Sequence, residues 1–311
     1  MGRISTFLLK RALYGVFQLW VVASLTFLML HSLPGDPFFS EKEISVSVKK
    51  KTMEKYNLDK PLYTQYFIYA KGILRGDMGF SMRYRSRKIS TIIRESFSYS
   101  LDLGVNAILI ALIFGFLFGI IAGLEGGGID KVIILFTTLI LSIPILVSAH
   151  LFQIVFAVWL RVLPIAQYYS FKHKILPAIS LAIVPTSIII RMVRGEIIEI
   201  LKQDYIKIAK AKGLPIHRII INHCIKNAAL PVVSYLGRIF ASVITGSFIV
   251  EKIYAIPGLG YTYVEGIESR DYTMALGVTI FYSSILILSM TLADIILALL
   301  DPRVRDAKRS N

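Results

Sequence analysis

The feature that most limits this chain is a series of apolar runs, each long enough to cross a lipid bilayer. The first covers residues 13–33. As a helix it would reach about 31 Å, which matches a hydrocarbon core of about 30 Å. Five more runs follow, at residues 101–124, 132–160, 175–190, 229–250 and 273–300. Peptide groups cannot stay unpaired in lipid, so runs of this length must be helical. The chain is expected to be an all-α membrane protein with six transmembrane helices, the third kinked at Pro144 and the fourth carrying Pro177 and Pro185. Hydrophobic residues make up 55% of the 311, and their gathering into blocks points to lipid rather than to a large soluble core.

The charge pattern excludes one class and orients the rest. A formal charge of +15 is compatible with nucleic acid only if the bases share a soluble face, and here they lie between apolar blocks. Arg3, Lys10 and Arg11 precede the first run in the manner of a signal peptide. That run is too long for a signal core, and no small-x-small site follows it, so an uncleaved first helix is expected. The loop at 191–226 carries eight bases, namely Arg191, Arg194, Lys202, Lys207, Lys210, Lys212, Arg218 and Lys226. The tail adds Arg303, Arg305, Lys308 and Arg309. By contrast, residues 251–272 hold only Lys252 and Arg270 against four acids. Short basic loops stay in the cytoplasm, which puts both termini there.

Residues 34–100 disagree, with Lys49, Lys50, Lys51, Arg83, Arg85, Arg87 and Lys88. Segments longer than about 60 residues translocate largely regardless of charge. The short loop at 161–174, with Arg161, Lys172 and Lys174, is a weaker exception. Tyr56, Tyr63, Tyr66, Phe67 and Tyr69 are too many aromatics for a solvated linker. An amphipathic helix at 60–74 within a small extracytoplasmic cap is expected. The layout read from the chain is a cytoplasmic start and first helix at 1–33, an extracytoplasmic segment at 34–100, a five-helix core at 101–300 with a loop at 191–226, and a tail at 301–311. No repeat of fixed period occurs.

The loop has a pattern of its own. Ile197, Ile200, Leu201, Tyr205 and Ile208 fall on one helical stripe. The helix is expected to stop at Gly213, which suits a left-handed closing position. Pro215 would open a second short helix through 219–221, with Lys207, Lys210 and Lys212 pointing away from the stripe. Such an element either anchors on lipid headgroups or docks a cytoplasmic partner, and periodicity does not choose.

The residues themselves go further. Asp204-Tyr205-Ile206-Lys207-Ile208-Ala209-Lys210-Ala211-Lys212-Gly213-Leu214, followed by His223, Asn227-Ala228 and Leu230-Pro231, resembles the EAA loop of ABC importer permeases. Its form is that of the dipeptide/oligopeptide/nickel subfamily. The resemblance runs along nearly the whole chain: Lys10-Arg11, Pro34-Gly35-Asp36-Pro37, Leu58-Asp59-Lys60-Pro61, Gly76-Asp77-Met78-Gly79-Phe80-Ser81, Ile256-Pro257-Gly258-Leu259-Gly260 and Leu300-Asp301-Pro302-Arg303-Val304-Arg305. Each is weak alone, but their order and spacing together are specific. Two departures stand out. Lys207 and Ile208 occupy the positions of the general motif's glutamate and first alanine, so only Ala209 and Gly213 match. The gap from Gly213 to Pro231 exceeds that of sugar-type permeases and suits the peptide subfamily.

The resemblance implies a type I ABC importer permease architecture in a bacterial or archaeal inner membrane. It implies that Asp204, Tyr205, Ala209, Ala211, Lys212, Gly213, Leu214, His223, Asn227 and Pro231 couple the chain to ATPase subunits. The implied partners are a second, homologous permease, two cytoplasmic ATPases and an extracytoplasmic solute-binding protein. No Gly-x-x-x-x-Gly-Lys-Ser/Thr loop occurs in the sequence, so ATP and Mg are expected in the partner subunits and no cofactor or catalytic residue in this chain.

Other polar residues lie inside or beside the apolar runs. Arg238 and Asp294, inside the fifth and sixth runs, could pair or line a passage. His150 and Gln153 suit hydrogen bonds between helices. The spacing of His217, His223 and Cys224 fits no tetrahedral metal site, and no nucleophile-elbow or zincin motif supports an intramembrane enzyme. An ion-driven secondary transporter is the alternative, but it would want internal repeats and paired acids at mid-depth.

Overall fold

The computed structural model describes residues 2–32, 53–84 and 87–300. Apart from an isolated bridge between Phe80 and Lys88, the regular elements among them are helical. In chain order they are α1 (Gly2–Ser32), α2 (Leu62–Leu74), α3 (Ile89–Glu125), α4 (Gly127–Ser142) and α5 (Ile145–Phe152), which runs into a π-helix at Gln153–Trp159. Then come α6 (Phe171–Leu201), α7 (Asp204–Ala211), α8 (Ile216–Ile219) with a π-turn at Ile220–Ile225, α9 (Lys226–Ile253), α10 (Leu259–Glu268) and α11 (Tyr272–Leu300). The chain folds as two compact units, Met1–Ser100 with Pro257–Ile287, and Leu101–Ile256 with Leu288–Asn311.

The second unit is organised by the contact between α3 and α6. Gly115, Gly119 and Gly123 recur every four residues and share one face of α3. A Cβ on each would lie 2.5, 2.7 and 2.7 Å from Ile189, Val193 and Ile197 respectively. The missing side chains let three fully buried β-branched residues of α6 settle against the α3 backbone, the way close helix pairs form in lipid, where van der Waals packing must replace hydrophobic drive. Nearer the start of both helices, Asp102 accepts from Lys174 at 2.7 Å and from the Tyr168 hydroxyl at 2.8 Å.

The partner numbers rise together on the two helices, so α3 and α6 run parallel, and the chain between them must cross back. It does so along α6: Asp130 at the start of α4 pairs with Arg194, and Arg191 donates to Thr137 at 3.1 Å and Thr138 at 2.6 Å. Further on, Ala149 of α5 and Ser180 both bond the Tyr254 hydroxyl. The α6 partners fall from 194 through 191 to 180 as the chain advances, which is one antiparallel crossing. It is a broken one, because α4 and the helix beginning at Ile145 meet at 107°. Arms of about 24 and 22 Å are each too short to span alone. With five continuous apolar helices, the count among the described residues is six spans when the bent pair is taken as one.

Three expectations about helix limits change. The second span begins at Ile89 instead of 101, because Ile89, Ile92 and Ile93 are buried in the first unit's core. The third is two helices rather than one kinked rod. The fourth runs Phe171–Leu201 straight through Pro177 and Pro185. It therefore absorbs Arg191 and Arg194, which are bound to α4 and are not loop bases.

In the first unit α1 and α11 are antiparallel. A Cβ on Gly15 would sit 3.0 Å from Ile287, while the His31 and Tyr272 rings lie 5.1 Å apart. The expected amphipathic helix is α2. It lies on α1 through Ser24 with the Tyr66 hydroxyl at 2.7 Å and His31 Nε2 with Gln65 Oε1 at 3.1 Å. The Gly76–Ser81 motif is a built turn: Gly76 and Gly79 take φ of +74° and +76°, and Asp77 Oδ1 accepts the Gly79 N–H at 3.0 Å. Ser81 donates to buried Asp271, which also caps α11 by accepting the Met274 N–H at 3.0 Å. The Pro34–Pro37 motif, Lys49–Lys51, Arg85 and the tail from Asp301 lie outside the described residues.

Candidate functional site

The loop expected to couple the chain to a partner is built differently from its sequence pattern. The helix does not continue from Ile197 to Ile208. It ends at Leu201 and restarts at Asp204 after Lys202 and Gln203. The break resets the helical phase, so the single stripe does not form. Ile206 and Ala209 turn inward, fully buried and 7% exposed, and join a cluster containing Ile200, Ile219 and Cys224. Tyr205 and Ile208, assigned to the inner stripe by spacing, are 44% and 56% exposed.

The end of α7 is as expected, with a defined geometry. Gly213 takes φ +77°. The Leu214 N–H bonds the Ala209 carbonyl at 3.2 Å and the Gly213 N–H bonds that of Lys210 at 3.0 Å. These are the two bonds of a Schellman closure, and Leu214 supplies its usual apolar contact by packing on the core. Pro215 then precedes α8.

The other expected residues fall into place around this turn. Asp204, in the first turn of α7, holds Lys207 at 2.8 Å. The Tyr205 ring lies 5.9 Å from that of His223, and Asn227 donates to the His223 carbonyl at 2.8 Å. Ala211 and Lys212 are exposed. Pro231 lies inside α9 and joins none of these contacts. The sequence reading missed Ile206 and Ile219 as inner supports, and Ile208, Ile216 and Ile221 as outward apolar residues. An Ile206–Ala209 pair three apart was a visible signal, masked by the competing phase of Ile197 and Ile200. The resulting surface is apolar at its centre and basic at its edge. Lys210, Lys212, Arg218 and Lys226 are exposed and make no ion pair among the described residues.

Elsewhere, Gln153 is buried and donates to the carbonyls of Ile165 at 2.8 Å and Ile253 at 3.3 Å, the helix-bridging role expected of it. His150 is exposed and, among the described residues, bonds only its own helix, at Leu146. Arg238 is exposed on α9, and the side chain of Asp294 lies outside the described residues.

Comparison with known proteins places this architecture. Residues 115–306 match the family described as "Binding-protein-dependent transport system inner membrane component", and residues 4–88 match its N-terminal counterpart. The chain belongs to this family. Among curated relatives, the dipeptide transport system permease protein DppB of Bacillus subtilis (strain 168) is 40% identical over 307 residues, covering 98% of this chain and 100% of that one. The oligopeptide transport system permease protein OppB of Salmonella typhimurium is 37% identical over 302 residues, covering 96% and 99%. A solved amino acid ABC transporter chain overlays with a TM-score of 0.53 at 15% identity, covering 68% of this chain and 95% of that one. The last likeness concerns the fold, and it agrees with the type I permease architecture that the loop residues implied.

Proposed function

We propose that this family member is the permease subunit of an ATP-driven importer of dipeptides, oligopeptides or similar small solutes. In this reading α7 and α8 transmit the motion of cytoplasmic ATPase subunits to the membrane helices. One observation carries it: α7 is fastened to the bundle by Ile206 and Ala209 while Tyr205 and Ile208 face outward between lysines. A helix that is rigidly backed and apolar in front is suited to fill a groove in another protein. The relatives named as dipeptide and oligopeptide permeases support the solute class.

The partners in this reading are a second homologous permease, two ATPases that bind ATP and Mg, and an extracytoplasmic binding protein. The exposed bases around α7 favour the cytoplasm for that end. Six spans, with α1 and α11 antiparallel, then put both termini on the same side. Nothing in the geometry favours an ion-driven alternative.

The test is Tyr205→Glu with Ile208→Glu, scored by copurification of the ATPase subunits and by peptide uptake. Both should be lost while the permease still inserts and folds, because two carboxylates would be forced into an apolar contact. Retained copurification and uptake would make α7 a lipid anchor and sink the coupling role.

A further inference from the structure

Arg238 stands close to the middle of α9, a helix of 28 residues. It is exposed, and its guanidinium lies 5.8 Å from the centre of the Tyr235 ring. It makes no ion pair among the described residues. A charge on a helix of this kind is costly against hydrocarbon and almost always faces water or protein.

The rest of α9 shows which. Ala228, Val232, Ile239, Val243 and Val250 are buried and form the side that packs inward. Asn227, Ser234 and Arg238 follow one another at helical intervals, exposed or half-exposed. Surfaces suited to lipid look different in this chain: α4 turns Ile129, Val132, Leu135 and Phe136 outward. A stripe with an amide, a hydroxyl and a guanidinium suits a wet passage better than a lipid face, although the amide and the hydroxyl also bond the His223 and Pro231 carbonyls one turn back.

We infer that Arg238 lines the solute passage and binds the carboxylate of the transported molecule, the C-terminal carboxylate in the case of a peptide. This assignment rests on the permease reading above. The planar fork of guanidinium N–H groups matches a carboxylate in a two-point contact. The Tyr235 ring beside it steadies the cation without neutralising it.

The test compares uptake of trialanine and of its C-terminal amide in cells that depend on the complete transporter. Loss of one charge-assisted contact corresponds to about tenfold. Arg238→Gln should therefore lower trialanine uptake by that much and leave the amide within about twofold, with Arg238→Lys recovering part of the difference. Equal losses for both solutes, or no loss, would overturn the assignment.

Absence of peptide uptake by the unmodified transporter would instead sink the permease reading. A second measurement therefore needs no substrate. Arg238→Cys in a Cys224→Ser background should react with a membrane-impermeant cationic thiol reagent, and Leu135→Cys should not. An unreactive position 238 removes it from any aqueous passage. The charge swap Arg238→Asp with Asp294→Arg is the last control, since Ala293, the residue before Asp294, meets Gly237. Full recovery of trialanine selectivity by the swap would show a structural ion pair and refute carboxylate binding.

Discussion

The α3–α6 contact and the α7 turn use similar residues to opposite ends. Along α3, glycines at 115, 119 and 123 withdraw so that Ile189, Val193 and Ile197 are enclosed on contact. In α7 the apolar residues are divided: Ile206 and Ala209 go inward, while Tyr205 and Ile208 are left out. The first arrangement is complete within one chain, and the second leaves apolar side chains uncovered within it. Apolar content therefore does not by itself say what a helix of this protein packs against. The neighbour's shape decides it, and at α7 the second neighbour, in the function proposed here, belongs to another protein.

The largest expected effect breaks α7 from its inner side. Ile206→Glu places a carboxylate where the side chain is fully buried. It should cost on the order of 3–5 kcal/mol, read as loss of folded protein from membranes. Tyr205→Glu, one residue away and 44% exposed, should stay within about 0.5 kcal/mol of the unmodified protein. Equal losses at the two positions would mean that α7 has no outward face.

The next effect tests the other half of the comparison. Gly119→Ala puts a Cβ 2.7 Å from that of Val193 and 3.0 Å from the Ile190 carbonyl oxygen. Overpacking of that kind costs about 1–3 kcal/mol, seen as a lowered thermal unfolding midpoint in detergent. Gly195 is also within a helix, but an added Cβ there meets nothing within 4 Å. Gly195→Ala should stabilise by roughly 0.5–1 kcal/mol through the helix preference for alanine. A lowered midpoint in both variants would point to a general intolerance of the bundle and not to the α3 interface.

The contrast also explains what could be read from the sequence. The six crossings were legible because lipid imposes length and hydropathy on each of them. The start of α3 was not, since Arg94, Glu95, Ser96, Ser98 and Ser100 dilute the apolar signal while Ile89, Ile92 and Ile93 carry the burial. Pro144 announced an interruption, but a 107° bend is set by what α4 and α5 must touch on α6. The spacing of Gly115, Gly119 and Gly123 was present in the sequence; its partner ridge is a tertiary fact. At α7 the family motif coincides with a separate short helix at Asp204–Ala211, yet periodicity assigned its faces in reverse. A two-residue break at Lys202 and Gln203 shifts the phase, and hydrophobic spacing cannot register where a helix has been cut.

The smallest effect sharpens the comparison through the way two helices end. Both α7 and α9 close with the same pair of backbone bonds. At α9 the Ile256 N–H reaches the Glu251 carbonyl at 2.8 Å and the Ala255 N–H that of Lys252 at 3.4 Å. The left-handed position is Gly213 in α7, at φ +77°, and Ala255 in α9, at φ +50°. Alanine pays a steric penalty there that glycine escapes, on the order of 1 kcal/mol. Both positions are exposed, so side-chain packing contributes little. Gly213→Ala should then destabilise the α7 turn by about 1 kcal/mol and weaken ATPase copurification, because the outward face depends on the closure behind it. Ala255→Gly should instead raise the unfolding midpoint slightly, by about 0.5 kcal/mol once the extra freedom of the unfolded chain is subtracted. Opposite signs at two copies of one motif would tie both changes to φ alone. A loss in both would mean that Ala255 holds its turn by contacts its methyl group makes outside this chain, and that the end of α9 is built to meet a partner, as proposed for the front of α7.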